Sequence, residues 1–155
     1  MVATYTLNQA TPLPIKGSPA TGYNLNTDEG VVDPASVSLI YGATAVKVVG
    51  QAGGQPLLDK AAANDLIFGF AKYNPVKNTG TMNGENITVF KNGSEVIMEV
   101  GATPVIAGNL LEIVATGDLV IPSAGTNKII GTAKIGGATG ALIPVVVNIT
   151  KPAAQ

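Results

Sequence analysis

Five glycines, Gly125, Gly131, Gly136, Gly137 and Gly140, crowd within and just before the stretch KIIGTAKIGGATGALIPVVV. Glycine-rich loops cradle phosphates when their backbone N–H groups converge and a lysine or a helix N-terminus completes the site. The nucleotide loop G-x-x-x-x-G-K-[ST] fails here: Gly137 and Ala138 follow Gly131 and Gly136, so the lysine and the Mg²⁺-binding hydroxyl are missing. The dinucleotide fingerprint G-x-G-x-x-G fails as well. Ile135 stands where its first glycine belongs, and the ALIPVVVNI that follows is β-branched with a proline, a strand and not a phosphate-capping helix. The spacing predicts turn glycines between two strands, 128–135 and 141–150.

The remaining reactive side chains are few. The sequence has no His, Cys, Trp or Arg, and its nine basic residues are all lysines. The usual general bases, soft metal ligands and bidentate phosphate forks are therefore absent. Paired acids can run glycoside hydrolysis or hold Ca²⁺, and Asp28, Glu29 and Asp33 cluster while Glu95 and Glu99 share a strand face. Neither set has the D-x-[DN]-x-[DN]-G pattern, and acids on a strand's outer face commonly serve as solvated charges that discourage edge pairing. No S-x-x-K occurs among the scattered lysines. Sequons at Asn86, Asn92 and Asn148 are discounted as glycosylation sites because MVATYTL carries no secretory pattern. The expectation is no catalytic residue, no cofactor, no metal and no small-molecule substrate.

Net charge is −1 and charged residues make up 12% of the chain, leaving no basic stripe for a nucleic-acid backbone or an anionic membrane. Mean hydropathy is +0.34. No apolar run approaches the about 18 residues that span a bilayer, and the best, Leu142–Val147, contains Pro144.

These residues must be positioned by β structure. Short β-type runs recur at 37–41, 45–49, 66–73, 86–91, 95–100, 109–115, 118–121, 128–135 and 141–150, separated by turn residues at sandwich or barrel intervals. In ITVFKNGSEVIMEV, Asn92 and Gly93 predict a type I′ hairpin turn between alternating flanks. LLDKAAAND, 57–65, fits a short helix or a loop equally. The first thirty residues, with Pro12, Pro14 and Pro19, lack periodicity and read as an extended arm anchored by Tyr5, Leu7, Leu13, Pro14 and Ile15, or as a disordered tail. The expected division is an arm at 1–30, a β domain at 31–151 and a tail at 152–155.

IFGFAK and IIGTAK echo each other 62 residues apart, sharing Ile67/Ile129, Gly69/Gly131, Ala71/Ala133 and Lys72/Lys134. The echo predicts two similar strand-loop units in one barrel, with Gly69 and Gly131 at strand positions where another backbone passes closely.

From about Ala43 to Thr150, segments such as GATPVIAGNLLEIVATGDLV and NKIIGTAKIGGATGALIPVVV give a rhythm of strand, small loop, IxGxA, short loop and VxV. In this the chain resembles the decoration, or cement, proteins of tailed-bacteriophage capsids. The resemblance implies an all-β, compact β-barrel or β-tulip-like domain with an extended N-terminal arm and little or no helix. It also implies a homotrimer on the outer capsid surface of the virion, made in the bacterial host, with the arm reaching the major capsid protein or a neighbouring subunit. The competing expectation is a carbohydrate-binding or adhesive β-domain of a phage fibre or cell surface. Against it stands the shortage of aromatics, 5% of residues with no Trp, where sugar sites usually expose them.

Overall fold

The computed structural model describes residues 14–20, 25–76, 80–125 and 127–150. They form ten strands and, among the described residues, no helix: β1 Thr27–Val32, β2 Ala45–Ala52, β3 Gln55–Lys60, β4 Gly69–Ala71, β5 Asn86–Phe90, β6 Glu95–Glu99, β7 Leu110–Ile113, β8 Val120–Pro122, β9 Gly131–Ala133 and β10 Leu142–Val147. The first five close into a barrel of order β1-β3-β2-β4-β5, and the last five form a sheet of order β6-β10-β9-β7-β8. The protein is all-β.

The two sheets follow one plan. Each has a hairpin (β2–β3, β7–β8), then a three-residue strand (β4, β9) antiparallel to the hairpin's first arm and to the long strand that follows (β5, β10). The strand that begins each unit, β1 or β6, runs antiparallel to that long strand. In the first unit β1 also meets β3 in parallel at Val31–Leu57 and Val32–Leu58; in the second the outer edges meet in parallel only at the bridge Val100–Val120.

Backbone hydrogen bonds outside the ladders repeat as well. Ala43 N–H donates to Ala71 as Gly108 N–H does to Ala133, and Lys72 N–H donates to Thr88 as Lys134 N–H does to Pro144. The Ile40–Thr81 bridge has its counterpart in Val105–Gly137. Ala43 takes a left-handed φ of 62°, costly for a side-chain-bearing residue, where Gly108 takes 86°. This duplication underlies the IFGFAK/IIGTAK echo, with a correction: the two copies lie in two sheets and not in one barrel, because each three-residue strand pairs only with members of its own unit.

Packing follows the same equivalence. Val32, Ile40, Val46, Leu58, Ala71, Ile87 and Val89 form the core of the first unit. Val100, Val105, Leu111, Val120, Ala133, Ile143 and Val145 occupy the matching places in the second. Phe70 and Phe90, cross-strand partners and both 0% exposed, join that second core along with Ala43, Ala45, Ala61 and Ile67, so the larger cluster joins residues of both units. Full burial of each phenylalanine contributes about 1.5–3 kcal/mol.

Several local expectations are corrected. The strands flanking Asn92–Gly93 do not form a hairpin: β5 pairs with β1 and β4, whereas β6 pairs with β10. The turn is present, closed by Ser94 N–H to the Lys91 carbonyl, with Gly93 at φ 92°. Asn92 keeps a negative φ, so the turn is not type I′ and carries the chain from one unit to the other. The twisted two-residue turn sits at Gly53–Gly54, φ 59° and 82°, between β2 and β3. That makes 55–60 a strand, where LLDKAAAND suggested a helix or loop. Run 37–41 contributes only the bridge at Ile40. Strand β1 begins at Thr27, within the stretch read as arm.

Candidate assembly surface

The glycine cluster is structural. Gly137 exchanges both backbone hydrogen bonds with Val105, and Gly140 N–H donates to Val100. Those two N–H groups are thereby committed within the protein. Gly69 and Gly131 lie where a Cβ would stand 2.5 Å from the Phe90 carbonyl oxygen and 2.3 Å from that of Val146, contacts that only glycine permits.

Several of the acids are committed as well. Asp33 accepts from Ala35 N–H through its side chain, a local turn bond. Glu95 is not a solvated edge charge: it is 8% exposed and accepts Lys134 at 3.0 Å on both oxygens, while Glu99, its side chain 36% exposed, pairs with Lys16 at 3.2 Å. Glu112 is 1% exposed. Burial pushes its carboxyl up, but the Ser123 hydroxyl, the Asn127 amide and the Asn127 and Gly125 N–H groups outweigh this and hold it below the usual carboxylate range. Asp65 is held low by the Ala62 N–H and the Lys47 ammonium at 2.9 Å. Among the described residues no three His, Cys, Asp or Glu converge as a metal site.

What the surface offers is apolar contact. Of the expected arm contacts, Tyr5, Leu7 and Leu13 lie outside the described residues; Pro14 and Ile15 are exposed. Beyond them the chain runs along β6. Gly17 N–H donates to Ile97, Ile97 N–H to Ser18 and Ala20 N–H to Glu95, adding an outer strand to the second sheet. Tyr73 N–H donates to Gly17, which ties the segment to the first unit.

Beside Ile15 lies a pocket of about 220 Å³ lined by Tyr41 and Tyr73. Leu39 and Tyr41 both approach Gly80, and Val37, Val76 and Met82 are 100%, 86% and 55% exposed in the neighbouring segments. Exposed large apolar groups gathered in this way mark contact surfaces. Val37, Leu39 and Tyr41 alternate with Ser38 and Ile40 in VSLIY, a period of two visible in the sequence. What the pattern does not reveal is that only Ile40 faces a core.

Neither a protein-family model nor a curated protein matches the sequence. Among solved structures, the chain is similar to the N base of the head fiber gp8.5 of bacteriophage phi29 in its crystal structure. The TM-score is 0.54 at 13% identity, covering 80% of this chain and 94% of that one. The likeness is one of fold and takes in nearly the whole of that base.

Proposed function

We propose that the protein is a structural component of a tailed-phage head, attached to its outer surface as a homotrimer that stabilises the shell. The observation that carries this reading is the fold shared with a phage head-fiber base over 80% of the chain. Two features of the chain agree with it. Ile15, near the start of the described residues, lines the same pocket as the exposed Tyr41. Glu95, Glu99 and Glu112, and the close-packed Gly69 and Gly131, are engaged in internal contacts. Attachment would combine apolar burial with contacts from the arm, multiplied over many copies on the lattice.

The test is native mass together with re-addition to heads stripped of their accessory proteins. A variant lacking residues 1–13 is the informative deletion, because Gly17–Ala20 and β1 belong to the folded body. The expected outcome is a trimeric mass, binding to heads, and loss of binding in the deletion and in Tyr41→Asp. A monomer that ignores heads and binds a glycan array would establish the adhesive reading instead.

A further inference from the structure

The two units diverge most at one matched position. Phe68 N–H donates to Val46 as Ile130 N–H does to Leu111, and Lys91 N–H donates to Asn26 as Val147 N–H does to Ser94. By that equivalence Val48, Phe68 and Lys91 correspond to Ile113, Ile130 and Val147. The second-unit trio is packed solid, 1%, 0% and 0% exposed. The first-unit trio instead lines a cavity of about 530 Å³ that borders Lys128 and Ile149 of the second unit.

The cavity has an apolar bed and one cation directed at it. Val48 and Leu66 are 48% and 66% exposed, large side chains left uncovered beside Ile67 and Phe68. The Lys91 ammonium donates to the Phe68 carbonyl and lies 3.4 Å from the centroid of the Phe68 ring. Removal from water lowers its pKa, an effect that Asp28 opposes. The other two lysines are also bonded within the protein: Lys47 to Asp65, and Lys128 to the Asn64 and Asp65 carbonyls at 2.8 and 2.9 Å. The rim amides are engaged as well, Asn26 on the Asn92 carbonyl and Asn92 on Ile149.

Valine stands at the matched position of the second unit, so the ammonium here, although held by the Phe68 carbonyl and ring, carries a desolvation cost that a valine would not. An anion entering the cavity would offset that cost. Because the rim's polar side chains are already bonded within the protein, the site suits a molecule with one anionic group and few other polar groups, which disfavours a polyhydroxylated sugar. We propose that this cavity binds a small apolar carboxylate, its carboxylate at Lys91 and its body on Val48, Leu66 and Phe68.

The probe is 2-naphthoate, titrated into the full isotope-labelled chain and followed by amide NMR, with neutral 2-naphthamide as the comparison. Shifts are expected at Val48, Phe68, Lys91 and Ile149, with the amide binding at least tenfold more weakly than the carboxylate. Lys91→Met should weaken 2-naphthoate at least tenfold and remove its advantage over the amide; Lys91→Arg should preserve that advantage, and Lys60→Met should change nothing. Melting curves of each variant confirm the fold. No saturable shifts at millimolar 2-naphthoate, shifts centred elsewhere, or equal binding of acid and amide to the unsubstituted chain would overturn the proposal.

Discussion

The two five-stranded units keep the same strand order, the same off-ladder hydrogen bonds and seven matched interior positions, yet they solve their ends differently. Where the second unit buries Glu112 among the neutral donors Ser123 and Asn127, the first places an ion pair, Lys47 with Asp65, whose side chains are 35% and 31% exposed. Where the second is plugged by Ile113, Ile130 and Val147, the first is open at Val48, Phe68 and Lys91. A shared backbone plan constrains the residues that meet inside each sheet; the positions that close its ends are free to become a plug, a buried carboxylate or a cavity.

The sharpest way to break this equivalence is at the paired glycines. Gly69→Val and Gly131→Val should each cost about 3 kcal/mol or more in urea unfolding, because the added carbons meet backbone carbonyls that cannot move aside. A neutral result at either would remove that position from the shared plan. Next, Glu112→Ala leaves Ser123 and Asn127 without their acceptor and should cost about 2–3 kcal/mol, whereas Lys47→Met, at a half-exposed pair, should cost less than about 1. Equal losses would mean that the two wall contacts do the same job despite their different burial.

Acid separates the ends further. Asp65 and Glu112 both titrate below their ordinary values in the folded chain. Their stabilisation is therefore complete above the unfolded values near ~4 and is lost as pH falls through the lower folded values. The urea midpoint should drop below about pH 4, and Glu112→Gln should flatten that drop. Lys91 acts in the opposite range. Its folded pKa lies below the unfolded ~10.4, so the unfolded chain holds more protons between the two, and stability rises with pH across that window. Lys91→Met should abolish the alkaline rise. Between the Glu112 and Lys47 losses, Gly93→Val should cost about 1 kcal/mol by melting: the site has open space around it, so only the left-handed φ of 92° resists the substitution.

Much of the architecture was legible locally. The β-branched run in LIPVVV marks β10, whose burial alternates residue by residue, and the glycine run before it turns, Gly140 taking a left-handed φ of 80°. The hairpin was misplaced because Asn-Gly is the stronger local signal, while the true two-residue turn, Gly53–Gly54, sits between QA and QP with little alternation around it. β1 was hidden because TDEGVV is polar over its first half; it is a strand because β5 and β3 supply its hydrogen bonds. The contact surface at Tyr41 and Tyr73 and the cavity at Lys91 had no signature, since their residues are far apart in sequence and ordinary in type.

The sequence by itself determined the class of the fold and the poverty of its chemistry. Residue types missing from the chain cannot be restored by folding, and β-branched alternation with turn glycines commits the backbone to strands wherever it lies. Only the tertiary structure decided that the chain is one unit built twice and which acids are buried, and left one end open while sealing its counterpart. Those outcomes depend on contacts between residues dozens of positions apart, where one methyl group or one ammonium at a matched site decides whether the space is filled.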